Sequence, residues 1–374
     1  MESFTQVEGD ILSLAASNEA GIRALSAIMG EYGLDRLDAV ADYIIDTSQR
    51  AMLAAIGKLP AGTYRYAMTI DGYDAPVTLA ASLSIGPNGM DVDFFGTSAV
   101  TAHGINVPLN YSRAYAWFGL KCAVAPEVPT NAGSIEPVRI TAPKNTIVHA
   151  LHPWPVSARH VVGHMLPDVM LGCLDQAMPG GCQAESGAAL WGPQFRGGAE
   201  VRSMLGLGPD PAARAFTALT VHSGGCGGRP GKDGLSVTAF PTNLRTVPIE
   251  IIESSIPLLV WRREYRPDSG GAGQYRGGVG QVVEIGGAGG APFLVNAMFD
   301  RVDHPAHGRN GGGDGMPGTV SLVSGKQLRA KGQQLIPPGD RLRLETPGGG
   351  GLGDPRRRDP SAAAADRKSG LVTE

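Results

Sequence analysis

The stretch Val77-Thr78-Leu79-Ala80-Ala81-Ser82-Leu83-Ser84-Ile85-Gly86 places an apolar side chain at every second position, with small or polar residues between. Successive side chains of an extended chain point to opposite faces, so this period of two marks a strand with one face in a core. The flanking runs share the period: Tyr64, Tyr66, Met68 and Ile70 precede it, and Met90, Val92 and Phe94 follow. Asp71-Gly72 and Gly86-Pro87-Asn88-Gly89 supply turns between the runs, which predicts an antiparallel meander.

Upstream of Pro60-Ala61-Gly62 the period changes to three and four. Ile22, Leu25, Ile28 and Met29, then Leu37, Val40, Ala41, Ile44, Ile45, Ser48 and Met52, trace two amphipathic helices broken near Gly30 to Gly33. An N-terminal helical hairpin over 1–60 is expected. Downstream, Tyr111, Ala114, Tyr115, Phe118, Leu120 and Cys122 predict a helix from Asn110 to Val124, followed by a short strand from Val138 to Thr141. A central helix from about Ser157 to Met178 contains Pro167, whose ring collides with the carbonyl of Gly163, so it is expected to kink there. Residues 61–180 thus read as an α+β region with central helices.

Beyond residue 180 the chain becomes short β-prone runs, among them Phe216 to His222, Ile249 to Ile252, Leu258 to Trp261, Val282 to Ile285 and Arg341 to Leu344. Glycine clusters at 223–234, 269–280, 286–290, 308–318 and 347–353 separate them and read as turns at the rim of a sheet, where backbone lines whatever it meets. They follow no fixed period, which argues against a propeller or solenoid. Residues 181–353 form a Gly-rich, mainly β region, and the charged tail 354–374 reads as a solvated helix or a frayed end. The fold class is α+β.

Composition narrows the functions. The 374 residues carry 32 Lys plus Arg against 35 Asp plus Glu, a formal charge of −3, so no basic field for nucleic acid is present. With 54 Gly, 28 Pro and only 18% charged residues, a coiled coil or helical bundle is excluded. No apolar run approaches the roughly 20 residues that cross a bilayer, and Met1-Glu2-Ser3-Phe4-Thr5-Gln6 lacks the features of a signal peptide. A soluble cytoplasmic protein with neither membrane nor nucleic-acid partner is the expectation. Cys122, Cys173, Cys182 and Cys226 form no CxxC pair and are read as free thiols.

Candidate chemistry concentrates in a few places. In Gly224-Gly225-Cys226-Gly227-Gly228-Arg229-Pro230-Gly231-Lys232-Asp233, Cys226 stands where a Walker loop has glycine, and Asp233 stands where it has the magnesium-binding hydroxyl. Gly271-Ala272-Gly273-Gln274-Tyr275-Arg276 lacks the third glycine of a dinucleotide fingerprint. Neither ATP nor NAD binding by this chain alone is expected. Five of the eight histidines lie between 103 and 164. On an unbroken helix His160, His164 and Asp168, beside Arg159, would share a face, which allows metal ligation, a polar role toward substrate, or purely structural pairing. Asn110 and Arg113, with Asn106, lie where a loop enters a helix and suit a carbonyl or carboxylate, although Asn110 suits helix capping equally. Cys226, between glycine pairs, reads as an accessible thiol with His222 four residues away. Asp300, Asp303, His304 and His307 read as a turn network rather than a metal site.

Three long motifs carry a family resemblance. Arg159-His160-Val161-Val162-Gly163-His164-Met165-Leu166-Pro167-Asp168, Arg266-Pro267-Asp268-Ser269-Gly270-Gly271-Ala272-Gly273-Gln274-Tyr275-Arg276-Gly277-Gly278 and Glu345-Thr346-Pro347-Gly348-Gly349-Gly350-Gly351-Leu352-Gly353-Asp354-Pro355 look like the hydantoinase B/oxoprolinase family. Stretches Asn106 to Lys121, Pro230 to Asp233 and Phe240-Pro241-Thr242-Asn243 extend the similarity over nearly the whole chain. The family includes N-methylhydantoinase B, the C-terminal half of 5-oxoprolinase and a large subunit of acetone carboxylase. The resemblance implies ATP-dependent opening of a cyclic amide within a hetero-oligomer. An ATP-binding hydantoinase A-type subunit phosphorylates a lactam, hydantoin or ketone, and the B-type subunit completes hydrolysis or carboxylation.

It also implies a divalent metal such as Zn, Mn or Fe, whose His and Asp ligands lie in a segment that precedes the part resembled here. That places the ligands outside this chain, and a separate N-terminal B-type segment is a possible partner. The resemblance therefore points to the C-terminal portion of a B-type subunit, inactive alone, with Arg159, His160, His164, Asp168, Asn110 and Arg113 facing a shared reaction chamber. An acetone- or acetophenone-type carboxylase subunit and a non-catalytic scaffold or truncated inactive homologue are the alternatives.

Overall fold

The alternating run is the second strand of a four-stranded sheet in the computed structural model, which describes residues 4–187, 190–210, 213–238, 240–244 and 246–373. Strands β1 (Gly62–Ile70), β2 (Val77–Gly86) and β3 (Gly89–Asp93) form the expected antiparallel meander, with Ile70 opposite Val77 and Ile85 opposite Met90. Leu79, Leu83 and Ile85 face the core while Thr78, Ala80 and Ser82 are half-covered. The predicted short strand is β4 (Val138–Thr141), and it pairs parallel to β3, which a strand of four residues cannot announce in sequence.

The chain divides into two compact units, Met1–Met52 with Val128–Pro137, and Leu53–Glu127 with Val138–Glu374. The first holds helix α1 (Phe4–Glu31), α2 (Asp38–Ile56) as far as Met52, and the short α4 (Ala132–Ile135). Asn131 caps α4 and donates its Nδ2 hydrogen to Ser48 Oγ at 2.8 Å, fixing α4 on α2. The apolar stripe read in the sequence is exposed along α1, where Ile22, Leu25 and Ile28 all face out.

In the larger unit, helices α3 (Leu109–Val124) and α6 (Leu166–Ala177) pack on each other, and α6 lies across β1 and β2. Gly119 permits the crossing, since a Cβ there would fall 2.6 Å from Pro167 Cα. Two further sheets follow, ordered β10-β12-β8-β7 and β11-β9-β5-β6. Their strands are β5 (Gln194–Gly197), β6 (Phe216–Leu219), β7 (Leu258–Tyr265), β8 (Gln281–Gly287), β9 (Phe293–Met298), β10 (Thr319–Leu322), β11 (Lys331–Ile336) and β12 (Arg341–Glu345). Trp191, Phe195, Val283, Ile285, Phe293, Val295, Phe299, Leu342 and Leu344 fill one core between them. The architecture is α+β.

Three expectations are corrected. Ile249 to Ile252 is not β but the start of helix α8 (Ile249–Ser255), which follows Pro248; proline pre-sets the first turn and outweighs the β preference of isoleucine. The glycine clusters are not rim turns. Residues 346–352 are buried throughout, and the segments at 224–228, 270–278 and 308–315 press onto them backbone to backbone. Gly228 N donates to Gly350 O at 2.8 Å, Gly271 N to Gly349 O at 2.8 Å, Gly349 N to Gly278 O at 3.0 Å and Gly351 N to Gly313 O at 2.8 Å. Glycine is required here by close approach: side chains would hold these segments too far apart to hydrogen-bond.

The tail, finally, is docked. Helix α9 (Pro360–Lys368) brings Asp366 onto the buried Arg276, with Nε–Oδ2 at 3.1 Å, and Arg358 pairs with Asp233 at 2.8 Å. Helix α7 (Ala199–Met204) completes the inventory among the described residues.

Candidate functional site

Pro167 decides the geometry around the histidine motif. It occupies the first turn of α6, where its missing N–H costs nothing, so the expected single helix splits into α5 (His160–Gly163) and α6 with Met165 at the junction. The His160 and His164 rings stay together, 5.7 Å apart between centroids. His164 Nε2 lies 3.1 Å from the Tyr111 hydroxyl, and the Tyr115 ring stands 5.1 Å from the His164 ring. Gly163 makes this possible, because any Cβ there would enter the Tyr111 ring. The Arg159 guanidinium lies over the other part of that assembly, 5.5 Å from the Tyr111 centroid.

Both imidazoles are held neutral. Burial, followed by the neighbouring His160, pushes His164 down to about 3, and burial with Arg159 lowers His160. Burial raises the Tyr111 hydroxyl, so it remains a donor. A pair of neutral imidazoles can accept a proton from water or substrate, or donate a hydrogen bond to a carbonyl. They open on a small hollow whose other walls include Trp191, Met298 and Asp300.

Asp168 is not brought to the histidines. Its Oδ2 accepts from Ser186 N at 2.9 Å inside a separate buried charge cluster. There Glu185 takes Arg301 at 3.1 Å, the Tyr66 hydroxyl at 2.5 Å and His307 N at 3.0 Å, while Arg309 donates to the Asp168 carbonyl at 2.7 Å. Burial and the Glu185 charge push Asp168 up to about 7. Burial alone would raise Glu185 as well, but Arg301, the His307 amide and Tyr66 outweigh it and hold Glu185 below its ordinary value. The two carboxyls therefore share a site with one protonated near neutrality and one ionised.

The remaining candidates are dispersed. Asn110 is exposed at the second position of α3, whose cap position is Pro108, and Arg113 donates to Ile140 O at 3.0 Å. Asn106 is fully buried and spends its amide on Thr101, His103 and Pro155, stapling the loop. The accessible-thiol reading of Cys226 is overturned: the glycines around it bring backbone onto it, leaving it 2% exposed and raised by burial to about 12. The Asp303–His304 segment is a turn network, since Asp71 accepts from Val302, Asp303 and His304 amides and from His304 Nδ1. Glu185, Arg301, Arg309 and Trp191 escaped sequence reading. Charges spaced more than 100 residues apart leave no local pattern, and only Asp300, seen beside a histidine turn, hinted at this face.

A domain of this shape, with a neutral histidine pair at an open hollow and no phosphate-binding loop in its described glycine segments, defines a class of enzyme component. The chain belongs to the Hydantoinase B/oxoprolinase family, whose model matches residues 2–355. It is 31% identical to a protein of Pseudomonas sp. (strain NS671) provisionally named as the B-type subunit of a D-/L-hydantoinase, over 98% of this chain and 63% of that one. It is 27% identical to 5-oxoprolinase 1 of Arabidopsis thaliana, over 92% of this chain and 27% of that one. The chain thus spans less than two thirds of the length of these relatives. Among solved structures its fold resembles the ATP-dependent caprolactamase from Pseudomonas jessenii, with a TM-score of 0.83 at 24% identity over 100% of this chain and 65% of that one. It also resembles nucleotide-free acetone carboxylase, with a TM-score of 0.72 at 17% identity, over 94% and 53%.

The divalent ion implied by the resemblance does not fit this chain's own donors. Among the described residues no three His, Cys, Asp or Glu side chains converge on one point, and Asp168 and His164 are committed to Ser186 and Tyr111. No helix among the described residues is long and apolar enough to cross a membrane.

Proposed function

We propose that this chain is a B-type component of an ATP-dependent cyclic-amide hydrolase, acting on a lactam or hydantoin phosphorylated by an ATP-binding A-type partner. The observation that carries the reading is the family match along residues 2–355, joined to a fold shared with caprolactamase. The neutral His160 and His164 supply the proton transfers that ring opening needs, and Arg159 beside them offers a fixed positive charge to the phosphorylated substrate. Asn110 and Arg113, on the first turns of α3, line the approach for the partner or substrate. Asp168 supports the histidine segment from behind, through the charge cluster that anchors α6. Any divalent ion of the assembled enzyme takes its ligands from outside this chain, and the need for ATP argues for a complex in the cytoplasm.

The test is reconstitution with an A-type subunit. ATP-dependent ring opening of hydantoin, 5-oxoproline or caprolactam is expected from the complex and none from this chain alone; turnover by the single chain would overturn the reading. His164→Ala in the complex is expected to reduce turnover without unfolding. Labelled bicarbonate entering a ketone product would instead make the complex a carboxylase, and an A-type partner that works equally well without this chain would make it a scaffold.

A further inference from the structure

The hollow beside the histidines contains an acceptor with nothing to accept. It encloses about 250 Å³ of empty space counted to its open side, lined by His160, His164, Met165, Trp191, Met298 and Asp300, and its enclosed part has room for about one water molecule. Asp300 is 3% exposed, and its Oδ2 takes the Lys331 ammonium at 2.9 Å. The Gly72 amide nears the carboxylate, yet Oδ1 is sealed from solvent and has no hydrogen-bond partner. A buried oxygen left this way is costly, and native proteins satisfy such atoms with ordered water.

The rest of the hollow is held rigid and is short of other donors. Trp191 stacks on Phe299 with centroids 4.5 Å apart and spends its Nε1 hydrogen on the Asp300 carbonyl at 3.0 Å. His164 has one nitrogen engaged by Tyr111 and one spare. The His160 ring has no hydrogen-bond partner among the described residues. Met165 and Met298 close the remaining sides with apolar surface.

We propose that one water molecule is bound in this hollow, donating one hydrogen to Asp300 Oδ1 and the other to His160, and that it is the water consumed in ring opening. The assignment of that water to catalysis rests on the hydrolase reading; the binding of water does not. In the step, the water oxygen bonds to the ring carbon that carries the phosphorylated oxygen, while one of its O–H bonds breaks and the proton passes to His160. The π pair of that carbon's C=N bond moves onto the ring nitrogen, so no other reactant is required. His160 is then a catalytic residue and Asp300 a positioning residue.

A high-resolution crystal structure of the full chain is expected to show an ordered water within hydrogen-bond distance of Asp300 Oδ1; an empty site overturns the proposal. In the reconstituted complex, Asp300→Asn is expected to lower kcat at least tenfold and His160→Gln about a hundredfold, with KM nearly unchanged. Wild-type kcat in a folded Asp300→Asn or His160→Gln enzyme overturns the catalytic role. Should Asp300→Asn not fold, half-buried His160 carries the kinetic test. A wild-type complex that opens no cyclic amide sinks the hydrolase reading, and the crystallographic water still decides whether the site exists.

Discussion

Asp168 and Glu185 sit side by side with nearly no water, and the arginines around them neutralise only one in full. Arg301 and Glu185 pair at 3.1 Å with both side chains fully buried, whereas Asp168 Oδ1 and Arg309 Nε and Nη1 have no partner. Asp168 is therefore raised to about 7 by burial and Glu185, far above its unfolded value. Between about pH 4 and pH 7 the folded state holds a proton that the unfolded state has lost, so this group's contribution to stability falls as pH rises through that window. Asp168→Asn removes the penalty while keeping an oxygen for Ser186 N. The melting temperature of the variant minus that of the wild type is expected to grow from pH 4 to pH 7 and level off above; a constant difference would show that Asp168 is ionised throughout.

At the scale of elements, the glycine segments behave as a layer rather than as loops. Their hydrogen bonds run between segments far apart in sequence, and the packing leaves no room for a Cβ at Gly225, Gly278, Gly349 or Gly351. Gly349→Ala would drive its methyl into the Cys226 carbonyl, and no flexible side chain is there to move aside. Loss of about 3 kcal/mol or more, or failure to fold, is the expected result in urea denaturation. Gly208→Ala, with nothing within 4 Å, is the matched control and should stay within about 0.5 kcal/mol of wild type. Equal effects would mean that the layer tolerates separation.

Across the whole molecule, the chain's end is tied back to its glycine layer. Asp366 meets Arg276 90 residues earlier, and Arg358 meets Asp233 125 residues earlier. Asp366 and Arg276 are both nearly buried, 9% and 7% exposed, so removing the carboxylate strands a cation rather than freeing it. Asp366→Ala is expected to cost about 3 kcal/mol and to speed amide hydrogen exchange across 359–373 and at Gly234, whose N–H donates to Arg276 O. Exchange confined to the helix itself would show that the tail is only loosely laid on.

The periods of two and of three to four, read from residues such as Leu79, Leu83 and Ile85 or Tyr111 and Tyr115, determined the meander, β4 and α3, because each depends on neighbours within one element. The family, too, was legible, since Arg159 to Asp168 and Glu345 to Pro355 are contiguous motifs. Tertiary structure alone decided three things: that β3 and β4 run parallel, that Pro167 parts Asp168 from His160 and His164, and that the glycine runs pack on one another. The reason is the same in each case. Pairing direction, the turn of a helix beyond a break, and the approach of two distant backbones depend on partners that chain order does not specify.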